Sequence, residues 1–166
     1  QILEWQHRQA PKAPPTLTLK VRQVKSGNVY ERKLAGNQKL TRAEVDTPKV
    51  QYLYPDGDMH HFMDTETFEQ FAIPEETLGD ALKYISEGDT LEVMMYEGAA
   101  ISVQVAPSVT LEIGQTEVGL KGDTQSGANK PATTTTGLTL NVPLFVSTGD
   151  RIIVNSTTGE YTGRAD

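Results

Sequence analysis

The chain contains no cysteine. Disulfides, thiol nucleophiles and thiolate metal sites are therefore excluded, and the composition fits a reducing compartment without requiring one. Aromatic residues are scarce at 7 %, and only His7, His60 and His61 supply imidazole. No apolar run approaches the ~20 residues that cross a bilayer. No charged segment followed by an apolar stretch opens the chain, so membrane insertion and secretion are not expected. Apolar residues make up 37 % of 166. That suffices for one ordinary domain or two to three very small ones with thin cores, and falls short of a deep-pocketed enzyme.

Catalytic patterns are equally thin. No Gly-x-Ser-x-Gly occurs, and a nucleophilic triad has no support. His60 and His61 are adjacent in a strand-like run, so their side chains point to opposite faces and do not share a metal. Asp56-Gly57-Asp58 reads as a hairpin turn rather than a calcium loop. Gly114-x4-Gly119-Leu120-Lys121 misses a phosphate loop by one residue and lacks a following helix. Asn155-Ser156-Thr157 matches a glycosylation acceptor, but nothing routes the chain to a secretory pathway. No catalytic set, metal site or cofactor site is expected.

What is present is a strong segregation of charge. The net charge is −7. Residues 1–46 nonetheless carry nine Lys/Arg against four Asp/Glu, residues 47–107 two against twelve, and residues 108–166 four against six. A basic first third joined to an acidic middle reads as two functional surfaces, one suited to phosphate.

Period-two alternation dominates the chain. Leu17, Leu19 and Val21 face one side, against Thr18, Lys20 and Arg22, and Ser26-Gly27-Asn28 turns the chain into Val29–Leu34. Further strands are expected at Val50–Tyr54, His60–Met63, Thr90–Tyr96, Ala100–Val105, Val109–Gly114, Gly137–Val142, Arg151–Asn155 and Glu160–Gly163. Short strands with frequent turns indicate small β-barrels. Pro74, as the first helical residue, with Leu78, Leu82 and Ile85, predicts one short helix stopped by Gly88. Boundaries near Asp46 and Pro107 give three pieces, 1–46, 47–107 and 108–166, each roughly 25–28 Å across, which in file would make a rod. Gln1 falls inside a strand-like run, so the first piece is expected to lack its opening strand.

Between the first two strands, Gln6-His7-Arg8-Gln9-Ala10-Pro11-Lys12-Ala13-Pro14-Pro15-Thr16 places three prolines around one lysine. Each proline fixes φ and restrains the residue before it. Such a loop is stiff and extended and loses little entropy on entering a narrow site. A cation at its end suits a phosphate-rich cavity; a proline-rich hairpin with an incidental lysine is the plainer alternative.

The stretch Lys130-Pro-Ala132-Thr-Thr-Thr-Thr-Gly137-Leu-Thr-Leu140-Asn-Val142-Pro143-Leu-Phe-Val146-Ser-Thr-Gly149 resembles the signature of the bacterial translation elongation factor P family. Gly119-Leu120-Lys121-Gly122-Asp123-Thr124 and Gly159-Glu160-Tyr161-x-x-Arg164 resemble it too. So do Tyr52-Leu53-Tyr54-x-Asp56-Gly57, His61-Phe62-Met63-Asp64, Glu66-Thr67-Phe68-Glu69-Gln70 and Gly79-Asp80-Ala81. The likeness runs from His7 through nearly the whole chain. It implies a mainly β protein, an SH3-like (KOW-type) barrel followed by two OB-fold barrels in an elongated, tRNA-like arrangement.

The resemblance also implies a function: a cytoplasmic, monomeric, non-enzymatic factor. It would bind the 70S ribosome and its rRNA beside peptidyl-tRNA in the P site and relieve stalling on consecutive prolines. Lys12 falls at the loop tip, where the family usually carries a lysine bearing an added group, so a lysine-modifying enzyme is an implied partner. The family's tip reads Pro-Gly-Lys-Gly, whereas this one reads Ala10-Pro11-Lys12-Ala13-Pro14-Pro15. Lys12 is therefore expected to act unmodified, with Pro11, Pro14 and Pro15 supplying the order. Arg8, Lys20, Arg22, Lys25, Arg32 and Lys33 are expected to grip RNA phosphates. The likeness further implies Gly122, Asp123 and Thr124 toward the mRNA codon, and Tyr161 and Arg164 toward the small subunit.

Three other readings compete. A stand-alone OB-fold binder of single-stranded nucleic acid would want surface aromatics and a basic barrel. A small hydrolase lacks its catalytic set. An elongation-factor-P-like paralogue would explain the unusual tip. The hypusine-containing relative of archaea and eukaryotes stops after two barrels, and the third piece with its signature favours the bacterial form.

Overall fold

The computed structural model describes residues 1–118 and 128–166. They form two compact units, Gln1–Val45 and Asp46–Asp166.

The first unit is an antiparallel sheet of β1 (Ile2–Arg8), β2 (Thr16–Arg22) and β3 (Val29–Ala35), in that order. Its two faces follow from the alternation. Cross-strand partners share a face, so the pairs Trp5↔Leu19, Val21↔Tyr30 and Leu17↔Leu34 gather the apolar side chains. Gln6↔Thr18, Arg8↔Thr16 and Thr18↔Lys33 gather polar ones on the other face. Leu19 and Leu34 are buried, while Trp5 is 69 % exposed, so this sheet is open and its core thin. Gly27, at φ 72°, turns β2 into β3 where the sequence expects a turn.

The second unit holds two five-stranded antiparallel sheets. One comprises β4 (Lys49–Asp56), β5 (Met59–Asp64), β6 (Gln70–Pro74), β7 (Thr90–Tyr96) and β8 (Ala99–Gln104), ordered β6-β5-β4-β7-β8. Val50, Tyr52, Phe62, Ile73, Leu78, Ile85, Leu91 and Val93 fill its core. The other comprises β9 (Ser108–Thr116), β10 (Asn129–Thr134), β11 (Thr139–Pro143), β12 (Arg151–Asn155) and β13 (Tyr161–Arg164), ordered β11-β10-β9-β12-β13. Its core is Leu111, Ile113, Leu140, Val142, Val146, Ile152 and Val154 with Ala132 and Leu138. Each fully buried aliphatic side chain contributes about 1.5–3 kcal/mol.

Tyr84 packs against the second of these cores. The Thr136 hydroxyl donates to the Lys83 carbonyl at 2.6 Å, and the Ser156 hydroxyl donates to the Ala106 carbonyl at 2.6 Å. These contacts join the two sheets into one unit.

The single helix expected after Pro74 is shorter and broken. Pro74 closes β6 with extended backbone and caps α1 (Glu75–Leu78), so it is not a helical residue. Gly79, at φ 51°, interrupts the α-helix, and a 3₁₀ segment, Gly79–Tyr84, carries the chain onward. Two strands, β6 and β10, lie outside the expected set. Within β10, Pro131 sits before the pairing with β9 begins at Ala132↔Thr116, so its missing N–H leaves that ladder intact. No helix among the described residues is long and apolar enough to cross a membrane.

Candidate functional site

The loop that joins β1 to β2 ends in a four-residue turn. The Ala13 N–H donates to the Ala10 carbonyl at 3.3 Å, which places Pro11 at the second position and Lys12 at the third. Proline favours the second position because its φ is already set. A type II turn would need positive φ at the third position, and Lys12 is not among the residues that have it. Lys12 is exposed, as are Pro11, Ala13 and Pro14. The ammonium thus stands at the end of the hairpin on a backbone restrained on both sides.

Pro15 anchors the loop's base. The Gly36 N–H donates to the Pro15 carbonyl at 2.9 Å. A β-carbon built on Gly36 would lie 2.8 Å from Pro15 Cγ, so this glycine leaves room for the proline ring. Sequence reasoning did not single out Gly36, because its importance comes from a neighbour twenty-one positions away.

The six expected phosphate-gripping residues are not one patch. Arg8, opposite Thr16, begins one face of the sheet. Lys20 pairs with both Glu4 and Glu31, Arg22 with Val29 and Lys33 with Thr18, all on that same face. Arg32 lies opposite Leu19, on the apolar face. Lys25 occupies the turn between β2 and β3. Lys20 Nζ stands 3.8 Å from Glu4 Oε1, with both side chains well exposed. Such an exposed pair contributes at most about 1 kcal/mol and leaves the ammonium open to another partner. A groove of about 450 Å³ runs along this face, lined by Glu4, Gln6, Thr18, Lys20 and Glu31 among others.

In the last sheet, Tyr161 is half-buried against the core, and Arg164 is more accessible. The Arg164 guanidinium lies 3.8 Å from the Asp150 carboxylate and 5.8 Å from the centre of the Phe145 ring, which is itself exposed. Gly122, Asp123 and Thr124 lie outside the described residues. Lys130, which opens the signature stretch, is buried, and its ammonium donates to the Glu117 carbonyl at 2.6 Å. That contact makes it a fold-holding residue.

His60 and His61 do face opposite ways. The His60 ring is buried and shares a 2.8 Å hydrogen bond through Nδ1 with the Tyr52 hydroxyl. Burial, and then the charge of Glu87, push the Tyr52 hydroxyl above its ordinary pKa of 10.0, so it stays protonated. His61 stacks on Tyr54 and lies 3.5 Å from Asp56. Among the described residues no group of three or more His, Cys, Asp or Glu is placed to hold a metal ion.

Residues 45–103 match the family model described as Elongation factor P (EF-P) OB domain, and residues 109–164 match the one described as Elongation factor P, C-terminal. These matches, over the two five-stranded sheets, define a class: a translation elongation factor rather than an enzyme. The chain is 40 % identical over 164 residues to Elongation factor P of Dictyoglomus turgidum, covering 99 % of this chain and 89 % of that protein. Elongation factor P of Dictyoglomus thermophilum is 38 % identical over the same coverage. The chain belongs to the elongation factor P family. Among solved structures, Eukaryotic translation initiation factor 5A from Methanococcus jannaschii shares the fold, with a TM-score of 0.52 and 18 % identity over 62 % of this chain and 77 % of that one.

Proposed function

We propose that this factor works in the cytoplasm as a monomer, binding the ribosome beside peptidyl-tRNA and speeding peptide-bond formation on consecutive prolines. It is organised as an N-terminal piece to residue 46, a central OB domain to residue 107 and a C-terminal OB domain beyond. The Lys12 turn carries the reading: one exposed cation at the third position of a proline-started turn, on a loop whose base is wedged by Pro15 and Gly36. Such a tip suits a narrow, phosphate-lined cavity because little backbone freedom is lost on entry. Lys12 donates to phosphate or ribose near the tRNA acceptor end, and Arg8, Lys20, Arg22 and Lys33 hold neighbouring RNA phosphates. Gly122, Asp123 and Thr124 reach toward the mRNA, and Arg164 with Tyr161 toward the small subunit.

The work required is modest. Proline is a constrained nucleophile, and a loosely held peptidyl-tRNA seldom presents it with an attack geometry. Holding the acceptor end still supplies orientation, which reaches about 7–11 kcal/mol in the best intramolecular models. A ten- to hundredfold rescue needs only about 1.4–3 kcal/mol. No covalent step by the factor is required.

The experiment is reconstituted translation of a polyproline reporter and a proline-free reporter with the parent chain and Lys12→Ala. The substitution is expected to slow the first and leave the second unchanged; equal rates on both would overturn the role of the tip. Intact-mass measurement of the cellular protein tests whether Lys12 is unmodified, and a stable adduct there would show that proline stiffness has not replaced the modification.

A further inference from the structure

His60 lies on the inward side of β5, where Phe62 on the same strand and Ile73 directly across from His60 are fully buried. A histidine at such a position needs a reason, because burying a polar ring costs free energy unless its nitrogens are satisfied. The Tyr52 hydroxyl satisfies Nδ1 alone, at 2.8 Å. Nε2 has no hydrogen-bond partner among the described residues. No sealed side-chain nitrogen or oxygen in them is left without a partner, so Nε2 is open, although the residue as a whole is only 7 % exposed.

The His60 ring lines a cleft of about 720 Å³ between the two five-stranded sheets, and Nε2 opens into it. Leu82 and Ile85 give this cleft an apolar wall, and Thr135, Thr136 and Gly137, between β10 and β11, close its far side. Small-molecule sites are commonly clefts of roughly 300–1,000 Å³ with apolar walls and a few placed polar groups. The field inside is negative. Glu75 and Glu87 line the cleft, and the Glu87 carboxylate is near enough to act on the Tyr52 hydroxyl. Lys83, which also lines it, has its ammonium 3.3 Å from Asp80.

We propose that this cleft binds a small aliphatic amine, its ammonium at the end formed by His60 and Glu87 and its methylene stem along Leu82 and Ile85. The proposal stands apart from the ribosome-binding reading. An ammonium carries donors and no acceptor. With the Nδ1–H donating to the Tyr52 oxygen, neutral Nε2 is an acceptor for it, and Glu87 is its countercharge. A phosphate or carboxylate would instead meet two carboxylates. A metal ion finds too few ligands, since no group of three or more His, Cys, Asp or Glu is placed to hold one among the described residues. The Thr136 hydroxyl already reaches the Lys83 carbonyl across this junction. An occupant lying between Ile85 and Thr136 therefore fastens the two sheets further.

The test titrates the full chain with diaminopentane and follows the His60 ring by NMR, with pentanediol and inorganic phosphate as comparisons. One-site, saturable binding of the amine is expected, shifting the His60 ring signals and the amides of Thr135, Thr136 and Gly137 and raising the melting temperature. The diol and phosphate are expected to leave those signals in place. Glu87→Gln, at an exposed position, is expected to weaken binding about tenfold, as loss of a charge-assisted contact does. Glu66→Gln, in the same acidic segment but outside the cleft, is expected to leave it unchanged. Equal losses in the two variants would reveal a diffuse counterion effect and overturn the site. Parent-like binding by Glu87→Gln, a shift that does not saturate, or a His60 response to the diol or phosphate as large as that to the amine would overturn it too.

Discussion

The ring of Pro15 occupies the space into which a side chain at Gly36 would project: a β-carbon there would approach Pro15 Cγ to 2.8 Å. The end of β3 thereby sets the direction in which the β1–β2 loop leaves its sheet. Gly36→Ala is expected to destabilise the first unit by about 1–3 kcal/mol, the usual cost of overpacking a site that cannot yield. Combining it with Pro15→Ala is expected to recover stability and not polyproline activity. Urea titration of the single and double variants, with the reporter assay alongside, separates the two effects; strictly additive losses would argue against the wedge.

The division of the basic residues between faces makes a second prediction. Lys33→Ala is expected to weaken ribosome binding and reduce the salt slope by roughly one, as removal of one phosphate contact does. Arg32→Ala, on the opposite face beside Leu19, is expected to leave that slope unchanged. Binding measured from low to moderate salt checks both, and the same slope change in the two variants would refute the assignment of faces.

Acid should loosen the Asp64 turn. The Thr67 and then the Glu66 backbone N–H groups hold the Asp64 carboxyl below its ordinary pKa of 3.8. A carboxylate depressed in the folded state stabilises above its unfolded pKa, and that contribution is lost as pH falls from that value through the depressed one. Amide exchange at Glu66 and Thr67 is therefore expected to accelerate below the ordinary value of 3.8. Asp64→Asn keeps an acceptor oxygen and removes the titration, so its exchange should lack that acid limb. Equal acid sensitivity in parent and variant would contradict the account.

Lys130 offers a test of a buried cation that does structural work. Lys130→Met keeps most of the side-chain volume but removes the donor to the Glu117 carbonyl. Hydrogen bonds to charged groups contribute about 1.5–3 kcal/mol. A loss of about that size in denaturant titration is expected, with ribosome affinity at saturation of the folded protein unchanged. A parent-like midpoint would show that the contact adds nothing.

Much of this architecture is legible as alternation. Thr90–Tyr96 and Arg151–Asn155 are strands at the expected bounds because each has a clean apolar face and a turn at its end. Strand β6 was hidden because Gln70–Pro74 alternates poorly and ends in proline, and β10 because Pro131 and the threonine run imitate a linker. The helix is shorter than its pattern implies: Leu78, Leu82 and Ile85 have helical spacing, but Gly79 changes the backbone between them. At the candidate site, Lys12 and its prolines are visible in the sequence. The separation of Arg32 from Lys33 was also available from period two, since neighbours on a strand face opposite ways. The Gly36 wedge could not be read, because it depends on a distant neighbour.

Strands β1 and β2 remain in register from Trp5↔Leu19 to Arg8↔Thr16, so the loop leaves both strands from fixed positions. The loop therefore behaves as a ruler. One extra residue would displace the ammonium by up to about 3.3–3.6 Å, the advance of an extended chain per residue, more than the length of the hydrogen bond proposed for it. On the proposed function, the chemistry at the end of the finger can be varied more freely than its reach.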